Sequence, residues 1–115
     1  MRAGSGKSLF AFALVASVAL IDTQAAEPDG EALVVEKRCV ACHDMSKTLI
    51  GPPYAAIAAR HAARKAVMVD VLARKIIAGG AGNWGVVPMV PNEHVTLEEA
   101  RAISRWILGL NQASE

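Results

Sequence analysis

Apolar positions in this chain form one long block, followed by shorter amphipathic stretches that glycines and prolines separate. The block runs from Leu9 to Ile21 and is interrupted only by Ser17. Beyond it, Ala32, Leu33, Val35 and Val40 supply core candidates behind a Pro28-Asp29 start, which predicts a helix from about Asp29 to Cys42. The stretch from Asp44 to Gly51 is expected to be irregular, and Gly51-Pro52-Pro53 is a turn that no helix can cross. Pro53 suits the first position of a second helix that ends near Ala63. A third is predicted over about Ala66 to Ala78, with Met68, Leu72 and Ile76 on one stripe and Gly79-Gly80 ending it through a left-handed cap.

From Ala81 to His94 the chain reads as loop, and a loop of that length inside a small domain usually has a job. The last helix has a clear start. Thr96-Leu97-Glu98-Glu99 is a capping box, Val95 can staple onto Ala100, and Ala100, Ile103, Ile107 and Leu110 give the buried stripe. The expected class is all-α, with about four short helices, no strand, no repeat and no second domain.

The apolar block is read differently. Arg2 and Lys7 precede it, and Thr23 and Ala25 stand at the −3 and −1 positions of a cut before Ala26. Residues 1–25 therefore have the form of a cleaved Sec-type signal peptide, and residues 26–115 form the mature domain. The block is short for a membrane span, which needs roughly 20 apolar residues. The mature protein is expected to be exported, soluble and not inserted in a membrane.

Composition sharpens this picture. Both phenylalanines, Phe10 and Phe12, fall in the leader, so Tyr54, Trp84 and Trp106 are the only aromatics of the mature part. A domain of about ninety residues buries a limited share of its surface and often needs a staple. Something else must supply a large flat apolar body. Charge adds little, since removing Arg2, Lys7 and Asp22 leaves ten basic and ten acidic side chains. No basic patch with interleaved aromatics points to nucleic acid. Arg60, Arg64 and Lys65, like Glu98 and Glu99, read as solvated helix faces.

The candidate chemistry lies in Cys39-Val40-Ala41-Cys42-His43. Residues three apart on a helical turn share a face, so both sulfurs can meet the vinyl groups on one edge of a porphyrin. His43 then sits under the ring as an imidazole ligand to the iron. The pentad reads as a c-type haem attachment site. Zinc fits poorly, because there is no third cysteine and His61 and His94 lack paired spacing. A thioredoxin-like dithiol would want a βαβ pattern, and a disulfide with a two-residue spacer closes almost no loop entropy. A covalent haem would also provide the missing apolar body.

For the other face of the iron, the best candidate is Met89, within Trp84-Gly85-Val86-Val87-Pro88-Met89-Val90-Pro91-Asn92. Prolines on both sides restrict its backbone. Met45 is too close to His43 to reach around a ring, and Met68 belongs to the helical stripe. His61 and His94 are the runners-up, although both sit beside charged neighbours as exposed histidines do; an open sixth position is the other alternative.

With Cys39–His43, Ile50-Gly51-Pro52-Pro53-Tyr54, the Trp84–Asn92 stretch and a last helix carrying Trp106, the chain resembles the small bacterial class I cytochromes c of the cytochrome c-551 type. The resemblance implies the cytochrome c fold, with N- and C-terminal helices crossing and the haem in a cleft. It further implies that the Pro52 carbonyl accepts from His43 Nδ1–H, that Asn92 approaches the Met89 sulfur, and that Trp84 donates to a haem propionate. Lys75 falls where the family commonly has a propionate-binding arginine, and a point charge there replaces a bidentate fork. Val34 replaces a usual aromatic, Arg38 a common glycine, and Val90 one proline of the usual Pro-Met-Pro-Pro.

Histidine–methionine ligation closes the iron to substrate, and a thioether raises the potential. The expected function is a periplasmic one-electron carrier, not an enzyme. Its expected partners are a membrane cytochrome complex as donor and a periplasmic reductase or oxidase as acceptor. Two alternatives are a peroxidase-like or ligand-binding cytochrome with a labile sixth ligand, and an electron-entry subunit of a dehydrogenase.

Overall fold

The computed structural model describes residues 2–6, 10–22 and 25–110. Lys7, Leu9 and Thr23 of the expected leader lie outside the described residues. Residues 10–22 form no regular element, and Phe10 and Phe12, at 85% and 94% exposure, add nothing to the core. Among the described residues no helix is long and apolar enough to cross a membrane.

Four α-helices follow: α1 (Gly30–Glu36), α2 (Tyr54–His61), α3 (Lys65–Ala78) and α4 (Leu97–Gly109). The fold is all-α, as expected; the one β-type pairing among the described residues is an isolated antiparallel bridge between Gly80 and Met89. α4 is the centre of the assembly, and α1, α2 and α3 all pack against it. Its start is set locally. The Thr96 hydroxyl accepts from the Glu99 N–H and the Glu99 carboxylate accepts from the Thr96 N–H, closing the capping box. Val95 and Ala100 are both buried there, as a hydrophobic staple requires.

The α4 stripe of Ala100, Ile103 and Ile107 is buried and Leu110 packs at its end, while Met68 and Ile76 are buried on α3 with Leu72 against the core. Ser104 lies wholly inside and satisfies its hydroxyl on the Ala100 carbonyl at 2.8 Å. α1 meets α4 at Gly30, where an added Cβ would run into the Ala102 carbonyl and stand 2.6 Å from Trp106 Cβ. Only a glycine permits that approach. Between α3 and α4, Arg101 Nε donates to Asp70 at 2.7 Å. The pair holds the Asp70 carboxyl below its ordinary range.

α1 differs from its predicted extent. The helix ends at Glu36, Arg38 adopts φ 63° and ψ 23°, and the chain re-forms as a 3₁₀ turn over Cys39–Ala41. Val35 and Val40 are consequently not core residues; they are 62% and 46% exposed, Ala32 is exposed, and Val34 is buried with Leu33 instead. α2 begins one residue later than expected, with Pro53 as its cap, and a 3₁₀ turn over Ala62–Arg64 links it to α3. Gly79 ends α3 at φ 66° but with ψ −156°, so the exit is extended and not the expected left-handed cap. A Cβ at Gly79 would strike the Met89 carbonyl and lie 2.8 Å from Pro91 N, which is why the loop after Met89 can lie directly on this helix end.

Candidate haem-binding site

The 3₁₀ turn brings the two cysteines into register. Its Cys42 N–H and the His43 N–H both bond back to the Cys39 carbonyl, at 3.1 and 3.0 Å. A 3₁₀ turn eclipses side chains three residues apart, so Cys39 and Cys42 share one face more closely than on an α-helix. Both are partly buried, and neither forms a disulfide. Burial raises the Cys39 thiol above its ordinary value.

The next segment is a cradle for the imidazole. Gly51 N–H donates to the Cys42 carbonyl at 2.8 Å and Tyr54 N–H to the Asp44 carbonyl at 2.9 Å, folding residues 44–53 back under His43. The Asp44 carboxylate accepts the Ser46 and Lys47 N–H groups, both at 2.9 Å, and these hold its pKa below the usual value. His43 Nδ1 lies 2.7 Å from the Pro52 carbonyl oxygen. A carbonyl can only accept, so the ring proton is on Nδ1 and the lone pair is on Nε2, the tautomer a metal ligand needs. Tyr54 stacks beside the imidazole with centroids 5.6 Å apart and meets Trp106 edge-on at 5.1 Å. The Tyr54 hydroxyl is buried with no hydrogen-bond partner among the described residues, and burial drives its pKa up.

Met89 is placed from the other end of the chain. Its N–H donates to the Gly80 carbonyl at 2.8 Å and its carbonyl accepts from Gly80 N–H at 2.9 Å. Its side chain is half-buried against the same core cluster that Cys39 borders. Asn92 locks the loop exit, with Nδ2 donating to the Ile76 carbonyl at 3.0 Å and the Val90 carbonyl at 3.1 Å. Both amide protons are thus engaged by backbone, and a bond from Asn92 to the Met89 sulfur would require one to be released. The Lys75 ammonium lies over Gly80, 2.7 Å from where a Cβ would stand there. Trp84 is 44% exposed, and the Arg60 guanidinium sits 4.6 Å from its ring centroid.

Of the rival ligands, Met68 is buried on α3 and Met45 and His94 are exposed. His61 departs from the expectation of an exposed side chain. It is half-buried, its Nδ1 is enclosed without a partner among the described residues, and burial with Arg60 and Arg64 lowers its pKa. The Arg60 contact to loop residues went unread in the sequence, because it joins positions more than twenty residues apart.

These residues fit a covalent haem. Cys39 and Cys42 share a face, a neighbouring imidazole presents a free nitrogen, and Ile50 and Trp84 leave apolar surface uncovered in the cleft beside it. A cleft of about 290 Å³ between Ile50–Pro53, Ala56 and Trp84 joins the cradle to the Met89 loop. No alternative cluster of three or more His, Cys, Asp or Glu suited to a metal occurs among the described residues.

Comparison with known proteins gives a consistent answer. A family model described as cytochrome c matches residues 28–111. Cytochrome c-552 of Hydrogenobacter thermophilus is 46% identical over 99 residues, covering 86% of this chain and 96% of that relative. Cytochrome c-551 of Allochromatium vinosum is 41% identical over 96 residues, covering 84% and 93%. The crystal structure of wild-type Nitrosomonas europaea cytochrome c552 superposes with a TM-score of 0.66 at 39% identity, over 70% of this chain and 98% of that one.

Proposed function

Because the chain belongs to the cytochrome c family, with one haem c bound covalently through Cys39 and Cys42, we propose that it is a soluble periplasmic one-electron carrier ligated by His43 and Met89. Residues 1–25 act as the export signal and residues 26–115 as the working domain. The observation that carries the reading is the 2.7 Å contact between His43 Nδ1 and the Pro52 carbonyl, which orients an imidazole beside Cys39 and Cys42.

When bound, the haem supplies a one-electron iron couple. The chain sets how that couple behaves. Pro52 fixes the His43 tautomer and raises its basicity through the Nδ1–H bond. The Met89 thioether, a soft neutral donor, favours the reduced metal, and the Gly80 pairing limits how far its backbone can move. The apolar side chains around the site disfavour added positive charge, which acts in the same direction. With His43 and Met89 both holding the iron, the chain would leave it no open place for substrate. Trp84 and Lys75 are the side chains offered to the propionates, and the exposed valines of the Met89 loop are the face through which an electron enters and leaves. The donor is a membrane cytochrome complex and the acceptor a periplasmic reductase or oxidase.

A redox titration of the exported protein followed by visible spectroscopy tests this. One single-electron wave, with a red sulfur-to-iron charge-transfer band in the ferric form, is expected. A high-spin ferric spectrum with rapid cyanide binding would replace the carrier by a ligand-binding cytochrome.

A further inference from the structure

Residues 81–88 are all exposed, with Val86 at 92% and Val87 at 58%. At the far end of the loop, Met89 pairs with Gly80 and Asn92 is bonded to Ile76 and Ile77. Among the described residues, the one backbone–backbone bond within 81–88 runs from Gly82 N–H to the Gly85 carbonyl at 2.9 Å. Among the described residues, one side chain outside the loop makes a hydrogen bond into it. Arg60, in the last turn of α2, donates through its guanidinium to the Asn83 carbonyl and lays the same group 4.6 Å from the Trp84 ring centroid.

We propose that Arg60 is a positioning residue that straps the Met89 loop onto α2 and so sets how often the Met89 side of the site opens. The inference rests on Met89 being the axial ligand for its effect on the haem, but not for the strap itself. The two contacts act together. A planar guanidinium can donate in its plane while its face lies on an aromatic ring, so one group holds both a backbone carbonyl and the neighbouring indole. Trp84 also lines the cleft beside Pro52 and Pro53, so the strap closes the loop towards the imidazole cradle. Arg64, which bears the same charge four residues on, makes no such bond among the described residues and serves as the control.

The test uses the mature holoprotein as wild type, Arg60→Ala, Arg60→Lys and Arg64→Ala. Amide hydrogen exchange over residues 81–89 reports loop opening directly, and the rate of imidazole binding to the ferric protein reports access to the iron. Loss of one charge-assisted bond and one exposed cation–π contact should raise both about tenfold in Arg60→Ala. Arg60→Lys should recover part of the protection, because an ammonium keeps the charge over the ring but not the fork, and Arg64→Ala should match wild type. Unchanged exchange in Arg60→Ala, or an equal rise in Arg64→Ala, overturns the strap. Faster exchange in Arg60→Ala, with the sulfur-to-iron band already absent from wild type, upholds the strap and removes Met89 as ligand.

Discussion

Gly51 and His43 lie face to face. A Cβ built on Gly51 would fall 2.5 Å from His43 Cε1 and 2.8 Å from Nδ1, so the imidazole rests on a surface that only a glycine leaves open. The same turn presents the Pro52 carbonyl to Nδ1. Gly51→Ala should therefore push the ring off its acceptor. Overpacking of this kind costs about 1–3 kcal/mol, read as a lower denaturation midpoint. A weakened Nδ1–H bond makes the imidazole a poorer donor, which favours the reduced iron. The reduction potential should rise while stability falls, and a variant with both unchanged would show that the ring is free to shift without consequence.

Met89→Ala should have the opposite effect on potential. Removing the soft donor takes away its preference for the reduced metal, so the potential falls. The vacated position should admit imidazole or cyanide orders of magnitude faster than in wild type. An unchanged ferric spectrum would exclude Met89 as the ligand.

Where the fold was legible in the residues, the cause was local. Thr96 and Glu99 cap α4 through contacts three residues apart, and Gly51-Pro52-Pro53 ends one segment and starts another by backbone chemistry alone. The break in α1 was not legible in the periodicity, which ran through Arg38 and drew Val35 and Val40 into the core; the one sign of it was that Arg38 stands where the family commonly has a glycine. At the site, the Cys39–His43 pentad could be read from spacing, and the proline-flanked Met89 stays a proposal. The Gly80–Met89 pairing, the Asn92 clamp on Ile76 and the Arg60 strap could not, since each joins residues that only the folded chain brings together.

Acid sensitivity should centre on Glu99. Its carboxylate takes the Thr96 N–H at 2.9 Å on one oxygen and the Lys37 ammonium at 3.0 Å on the other, linking the start of α4 to the end of α1. The Thr96 amide and then Lys37 lower its pKa, and Glu99 in turn raises that of Lys37. A carboxyl depressed in the folded state binds fewer protons there than when unfolded. Its stabilisation is therefore complete above the ordinary glutamate range and is lost as pH falls through the depressed folded value. Asp70, held down by Arg101, adds to the same acid limb. Glu99→Gln should lower the melting temperature at neutral pH and flatten its decline below about pH 4.3, the ordinary Glu value. A parallel downward shift of the whole curve would show that the ionised form gives no special support.

Arg38 offers the opposite change, a gain. It is the one non-glycine residue with positive φ, at 63°, among the described residues, and it sits between α1 and the cysteine-bearing turn. An L side chain in that region costs about 1–2 kcal/mol through contact of Cβ with its own carbonyl. Glycine escapes that cost but gives back about 0.5–1 kcal/mol in unfolded-state freedom. Nothing offsets the strain, because the Arg38 side chain is exposed and makes no hydrogen bond or ion pair among the described residues. Arg38→Gly should therefore stabilise the holoprotein by about 0.5–1 kcal/mol, a rise of a few degrees in Tm for a domain of this size. The visible spectrum should stay the same, since the Cys39 and Cys42 positions follow from the turn and not from the Arg38 side chain. A lower Tm would mean that the arginine supports this corner through a contact formed only with haem in place, and a comparison with Arg38→Ala, which keeps the Cβ but not the guanidinium, would locate it.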